Sequence, residues 1–168
     1  TRSKLNVTSG GRSYAENAIV YIVSNDFSSD NNRKLLVQRL NKYLPAGEQL
    51  SEDISIDELD NKIKDALEND NLGDWSNPKE YKDPLNIAIL KATAKHSTKE
   101  SKPSISNTGD ITGGNSAVIS SSHATGNALD LKKNGHMTNF LKTEEGVQWA
   151  KDNNVYVHME GDHLHLDF

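Results

Sequence analysis

At 168 residues, with 34% hydrophobic and 26% charged residues, the chain has the size and composition of one soluble globular domain. Nineteen basic residues against twenty-four acidic ones give a net charge of -5, so there is no basic excess from which to build a nucleic-acid or anionic-membrane surface, and no apolar run approaches the roughly 20 residues that cross a bilayer. The absence of cysteine excludes disulfides, thiolate metal ligands and cysteine nucleophiles, so a metal would have to be held by His, Asp or Glu.

A chain opening on Thr1 reads as a processed product or excised domain, with any targeting segment lying outside it. Leu5 to Thr8 reads as a short strand. Ser9-Gly10-Gly11-Arg12 then turns into a helix whose Ser13-x-x-Glu16 forms a capping box, which puts Arg12 at the mouth of that helix. Ala18, Tyr21 and Ile22 share one face of it. A second helix is predicted from Arg33 to Leu44 and is stopped by Pro45-Ala46-Gly47. Ser55-x-x-Glu58 caps a third, in which Ile56, Leu59, Ile63 and Leu67 step by three and four residues to about Asn69.

Ten acidic residues lie between Glu48 and Asp74, against only Lys62 and Lys64. No calcium-loop spacing occurs among them, so they read as a solvated face, or as a surface for a partner protein. A fourth helix is predicted from Leu85 to Lys95, and Ser97 to Asn115 reads as a long exposed loop. Beyond it the pattern changes. Ala117-Val118-Ile119 and Ala128 to Leu131 read as strands, Thr143 caps a helix carrying Val147, Trp149 and Ala150, and Val155 to His158 and Leu164 to Phe168 complete a small antiparallel sheet.

Five of the six histidines, His123, His136, His158, His163 and His165, fall in the last quarter of the chain. In His163-Leu164-His165 the period of two places both imidazoles on one strand face, an arrangement suited to metal binding or proton transfer. His123 and Asp130 are separated by six residues that include Gly126 and Ala128, small enough for a turn to bring a loop histidine and a strand aspartate together. His123, Asp130 and one histidine of the C-terminal pair make the three-ligand count of a catalytic zinc site, which keeps one position open. His136 in its polar turn reads as exposed, and His158 as structural.

The segment Ser121-x-His123-x-x-Gly126-x-Ala128-x-Asp130, with the C-terminal H-x-H, resembles the zinc peptidases grouped as lysostaphin, D-Ala-D-Ala carboxypeptidase and sonic hedgehog. Within that group it looks most like the D-alanyl-D-alanine carboxypeptidase and L-alanyl-D-glutamate endopeptidase family, which cuts peptidoglycan stem peptides. The resemblance implies an α+β fold with a small antiparallel sheet carrying the zinc site, and Zn2+ held by His123, Asp130 and His165. It also implies an acidic general base three positions before the last ligand, which is Asp162, with Glu160 as the other carboxylate near that turn.

Ser9-Gly10-Gly11-Arg12-Ser13 is similar to a family segment whose arginine binds substrate or the oxyanion, although Gly11 stands where the family commonly has an aromatic residue. His163 resembles the family's non-ligand histidine of the H-x-H pair, and Ser121 is expected to brace the loop by hydrogen bonding. The likeness covers Leu5 to Val23 and Ala117 to Phe168, so the chain is expected to be one zinc-peptidase domain in which 26–116 is largely a helical and loop insertion. The implied activity is zinc-dependent hydrolysis of peptidoglycan peptides outside the cytoplasm. The other reading is a catalytically weak zinc-containing module of a cell-wall or phage assembly, docked through the acidic insertion.

Overall fold

The computed structural model describes residues 7–70, 81–99, 102–113, 118, 121–124 and 126–168. It is α+β and divides into two compact units. One comprises Ser13–Ser121; the other joins the described residues up to Arg12 to Ser122–Phe168.

The first unit is helical. Its helices are α1 (Tyr14–Ile22), α2 (Asp30–Asn41), α3 (Ile56–Asn69) and α4 (Pro84–His96). The expected caps are present: Ser13 and Glu16 form both bonds of a capping box, and Ser55 Oγ accepts from the Glu58 amide. Asp83 caps α4 with Pro84 in its first turn, where a missing N–H costs nothing. α2 starts three residues before the expected Arg33 because Asp30 pairs with Arg33 and Lys34 one turn on. It stops before Leu44, at Asn41, whose side chain both accepts from the Leu50 amide and donates to the Leu50 carbonyl.

α1 packs on α3 and α4, and Ala15, Ala18, Ile19 and Ile22 join Leu36, Leu59, Ile63 and Ile89 in one apolar core. The helical unit takes in α1 together with the 26–116 span, since the buried face of α1 packs with the other helices. The acidic stretch is more than a solvated face. Asp60 accepts from the Ala15 amide and pairs with Lys64 at 2.7 Å, while the Asp70 carboxylate accepts from the Lys82 and Asp83 amides and from Asn86. Asp74 lies outside the described residues.

The expected loop from Ser97 contains a short hairpin of β2 (Ser104–Ile105) and β3 (Ile111–Gly113). Its turn closes because the Ser106 amide donates to the Asp110 carbonyl and Gly109 takes a positive φ of 86°. Val118, expected in a strand, is helical and buried, and its neighbours 117 and 119 lie outside the described residues.

The second unit is a four-stranded antiparallel sheet in the order β1-β4-β6-β5, formed by β1 (Val7–Ser9), β4 (Ala128–Lys132), β5 (Tyr156–Met159) and β6 (His163–Asp167). The first two residues of the expected N-terminal strand lie outside the described residues. Two helices complete the unit, α5 (His136–Phe140), which starts at the exposed His136, and α6 (Glu144–Asp152), capped as expected by Thr143.

Strand alternation divides the sheet into two chemistries. Leu131, Leu164 and Leu166 point to one face and pack with Leu141, Ala150 and Val155. The register sets Asp130 opposite His165, and His165 opposite His158, so these three side chains line the other face. Residues 163, 165 and 167 extend that polar face along β6.

No described helix is long and apolar enough to cross a membrane. In α6, a Cβ placed on Gly146 would lie 2.0 Å from the Phe140 carbonyl oxygen, a backbone atom that cannot swing away. Gly146→Ala is therefore expected to destabilise the sheet unit by about 1–3 kcal/mol, as overpacking does. Chemical denaturation of the variant checks this, and a midpoint equal to that of the parent chain would contradict the packing described.

Candidate metal centre

The site begins with a turn. Ser122, His123 and Ala124 lead into Gly126, which has a φ of 77°, a left-handed conformation that a side chain would strain. The Asn127 amide closes the turn on the Ser122 carbonyl at 2.9 Å, and β4 follows immediately. The spacing of six residues thus places a loop histidine against a strand aspartate. The Arg12 amide donates to the His123 carbonyl at 2.9 Å and ties the N-terminal segment to the same turn.

His123, Asp130 and His165 each offer a ligand atom, all within 4.8 Å of one another, and His123 and Asp130 are buried. The geometry fixes the chemistry of His123. Its Nδ1 lies 3.0 Å from the Gly10 carbonyl, which can only accept, so Nδ1 carries the proton and Nε2 keeps its lone pair. Burial lowers the pKa of this imidazole, with the Gly10 carbonyl and Asp130 opposing the shift, so the neutral ring that a metal requires is favoured. Nε2 then faces Asp130 Oδ1 at 3.3 Å. A lone pair opposed to a carboxylate oxygen is stabilised by a proton or a cation between them, and the donor set fits a metal ion.

His165 is held from both ends. Its Nδ1 is 2.8 Å from Asp130 Oδ1, and its Nε2 is 3.0 Å from Asp167 Oδ1. Ser122 Oγ donates to the same Asp167 oxygen at 2.5 Å. Burial pushes the His165 pKa down, but the hydrogen bonds to Asp130 and Asp167 and their charges outweigh it, so the net direction is upward. Burial likewise raises the Asp167 pKa, and the bonds from Ser122 and His165 outweigh it and lower it. A carboxylate behind a metal-ligating histidine fixes the ring's orientation and its basicity. Asp167 is the member of this centre that the sequence reading did not reach. Its signal is the continuation of the period of two from His163 and His165.

The structure brings Arg12 and His163 to the same centre. The Arg12 guanidinium lies 3.9 Å from Asp130 Oδ2, on the side of the carboxylate away from the histidines. His163 Nε2 lies 3.5 Å from Asp130 Oδ1 and 3.2 Å from Glu160 Oε2. Asp162 sits further out. Its side chain is 94% exposed, and its carboxylate accepts from His163 Nδ1 at 2.7 Å, a bond that holds the Asp162 pKa below its ordinary value. It therefore reaches the centre through His163. Ser122 supplies the bond to Asp167. His158 is exposed, and its ring stands 6.4 Å from that of His165.

No protein-family model, curated protein or solved structure matches the chain.

A metal at this centre must displace the proton that His165 shares with its two carboxylates. Because the His165 pKa is raised above 6.5, metal affinity should climb by about tenfold per pH unit through pH 6.5, level off only above the raised value, and release one proton per ion in the rising limb. Asp167→Asn should move the plateau to lower pH and weaken binding there by about 10–100-fold. Calorimetric Zn2+ titrations between pH 5.5 and 8.5 measure both effects. Affinity independent of pH would remove His165 from the ligand set.

Proposed function

We infer that the chain is a zinc-dependent peptidase acting on peptidoglycan stem peptides. The observation that supports the metal-dependent part of this reading is the convergence of His123, Asp130 and His165, with Arg12 and His163 beside them, and the substrate class rests on the motif resemblance. Zinc suits the donors, since imidazole nitrogen and carboxylate oxygen are its ordinary ligands and no thiolate is available. Ligand atoms each about 2.0–2.2 Å from a tetrahedral zinc lie about 3.3 Å apart, the separation found between His123 Nε2 and Asp130 Oδ1. When bound, zinc supplies a Lewis acid that polarises the scissile carbonyl and acidifies water at its open position.

The remaining chemistry belongs to the chain. The Asp162 carboxylate accepts the Nδ1 proton of His163 and so directs the His163 Nε2 lone pair toward the centre. His163 Nε2 takes the proton of the attacking water and returns it to the leaving amine. Asp162 holds the imidazole in the required tautomer and stabilises the imidazolium, the role a carboxylate plays behind a catalytic histidine. Relative to the sequence expectation of direct proton transfer to Asp162, the geometry favours transfer by way of His163. The Arg12 guanidinium offers hydrogen bonds to a substrate carboxylate or to the charge developing on the carbonyl oxygen. A peptidoglycan substrate lies outside the cytoplasm, which makes the action extracytoplasmic.

A second reading, a metal-bearing binding module of a cell-wall or phage assembly, draws support from the outward position of Asp162 and from the exposed acids Asp57, Glu58 and Asp65 of the helical unit, which offer a surface to a basic partner.

Digestion of purified peptidoglycan by the zinc-loaded chain, with fragments identified by mass spectrometry, separates the two readings. New peptide termini are expected, and they define the bond cleaved. His163→Ala and Asp162→Ala should keep the metal and lose about 10²–10⁴-fold in turnover. No cleavage by the parent chain with metal bound favours the binding module, and full activity in both variants would remove these residues from the reaction.

A further inference from the structure

A second group of ligand atoms lies beside the first: Glu160, His163 and His165 also offer atoms within 4.8 Å of one another. His163 is again the informative ring. Its Nδ1 lies 2.7 Å from Asp162 Oδ1, while its Nε2 stands 3.2 Å from Glu160 Oε2 and 3.5 Å from Asp130 Oδ1. These separations exceed the ~2.8 Å of a charge-assisted N–H···O bond and bracket the ~3.3 Å between two ligands of one zinc ion.

The turn carrying Glu160 is also pinned. Its amide donates to the His163 carbonyl at 3.0 Å, and Lys133 Nζ donates to the Gly161 carbonyl at 2.7 Å. Glu160 is thus set against His163 by hydrogen bonds to the backbone of its turn and not only by the mutual attraction of the two side chains.

We propose that Glu160 and His163 form a second, weaker site for a divalent cation beside the first, within reach of His165 and with Asp130 Oδ1 3.5 Å from His163 Nε2. Its weakness follows from its make-up. Glu160 is half-exposed, His165 is already committed to the buried triad, and two dedicated side chains are fewer than the three that hold the first ion. The consequence for catalysis, which rests on the peptidase reading above, is inhibition by excess metal: a cation on His163 Nε2 occupies the lone pair that would accept the proton. The binding claim itself does not depend on that reading.

The test is calorimetric titration of the metal-stripped chain with Zn2+ alone. A tight event is expected, followed by a weaker second equivalent. Glu160→Gln, at a half-exposed position where the fold tolerates change, should abolish the second event and leave the first. In the peptidoglycan assay, zinc beyond one equivalent should inhibit the parent chain.

A single event, unchanged by Glu160→Gln, overturns the proposal and makes Glu160–His163 a simple ion pair. A single event weakened when His163 is replaced by Ala also overturns it, because His163 would then be a fourth ligand of the first ion. Absence of any binding defeats the peptidase reading as well, whereas two events without hydrolysis uphold the second site and defeat only the peptidase.

Discussion

A carboxylate taken out of water must be given positive charge or hydrogen bonds, and Asp130 is such a group, buried in the middle strand pair of the small sheet. Nearly everything notable about that unit is an answer to it. Three imidazole nitrogens stand 2.8–3.5 Å from its Oδ1, and a guanidinium stands at 3.9 Å from Oδ2. Two of those rings have their other nitrogen against an acceptor, the Gly10 carbonyl for His123 and Asp162 for His163, so their Nε2 atoms are turned to the Asp130 carboxylate. A proton or a metal ion between them relieves this arrangement, and the donor set of His123, Asp130 and His165 is one that could hold a metal.

The sheet makes the arrangement possible by separating what must be dry from what must react. Along β6 the leucines at 164 and 166 bury themselves against β4, α6 and Leu141 at the end of α5, and the rigidity of that packing is transmitted to the histidines between them. Asp167 and Ser122 extend the support. The serine holds the carboxylate, the carboxylate holds His165, and the ring is oriented before any ligand arrives.

Much of this was legible in the sequence where a local rule governs. The period of two at 163–165, the caps at Ser13, Ser55 and Thr143, and the glycine between His123 and Asp130 each point to a conformation that the structure shows. What was hidden depends on contacts distant in sequence. α1 could not be assigned to the helical unit from its own residues, because its buried face is shared with α3 and α4. The end of α2 is set by Asn41 reaching Leu50, and the roles of Asp60 and Asp70 by amides 45 and 12–13 residues away. The outward direction of Asp162 follows from its place in the turn before β6, one residue out of phase with the metal face. Motif spacing alone does not reveal that phase.

The central claim concerns the atoms around one ion, and X-ray absorption at the zinc edge of the chain loaded with one equivalent reads them directly. The account predicts a first shell of low coordination number, with two imidazole nitrogens and carboxylate or water oxygen at about 2.0–2.2 Å, and loss of one imidazole contribution in either His123→Ala or His165→Ala. A shell of six oxygens without imidazole scattering, unchanged in those variants, would contradict it.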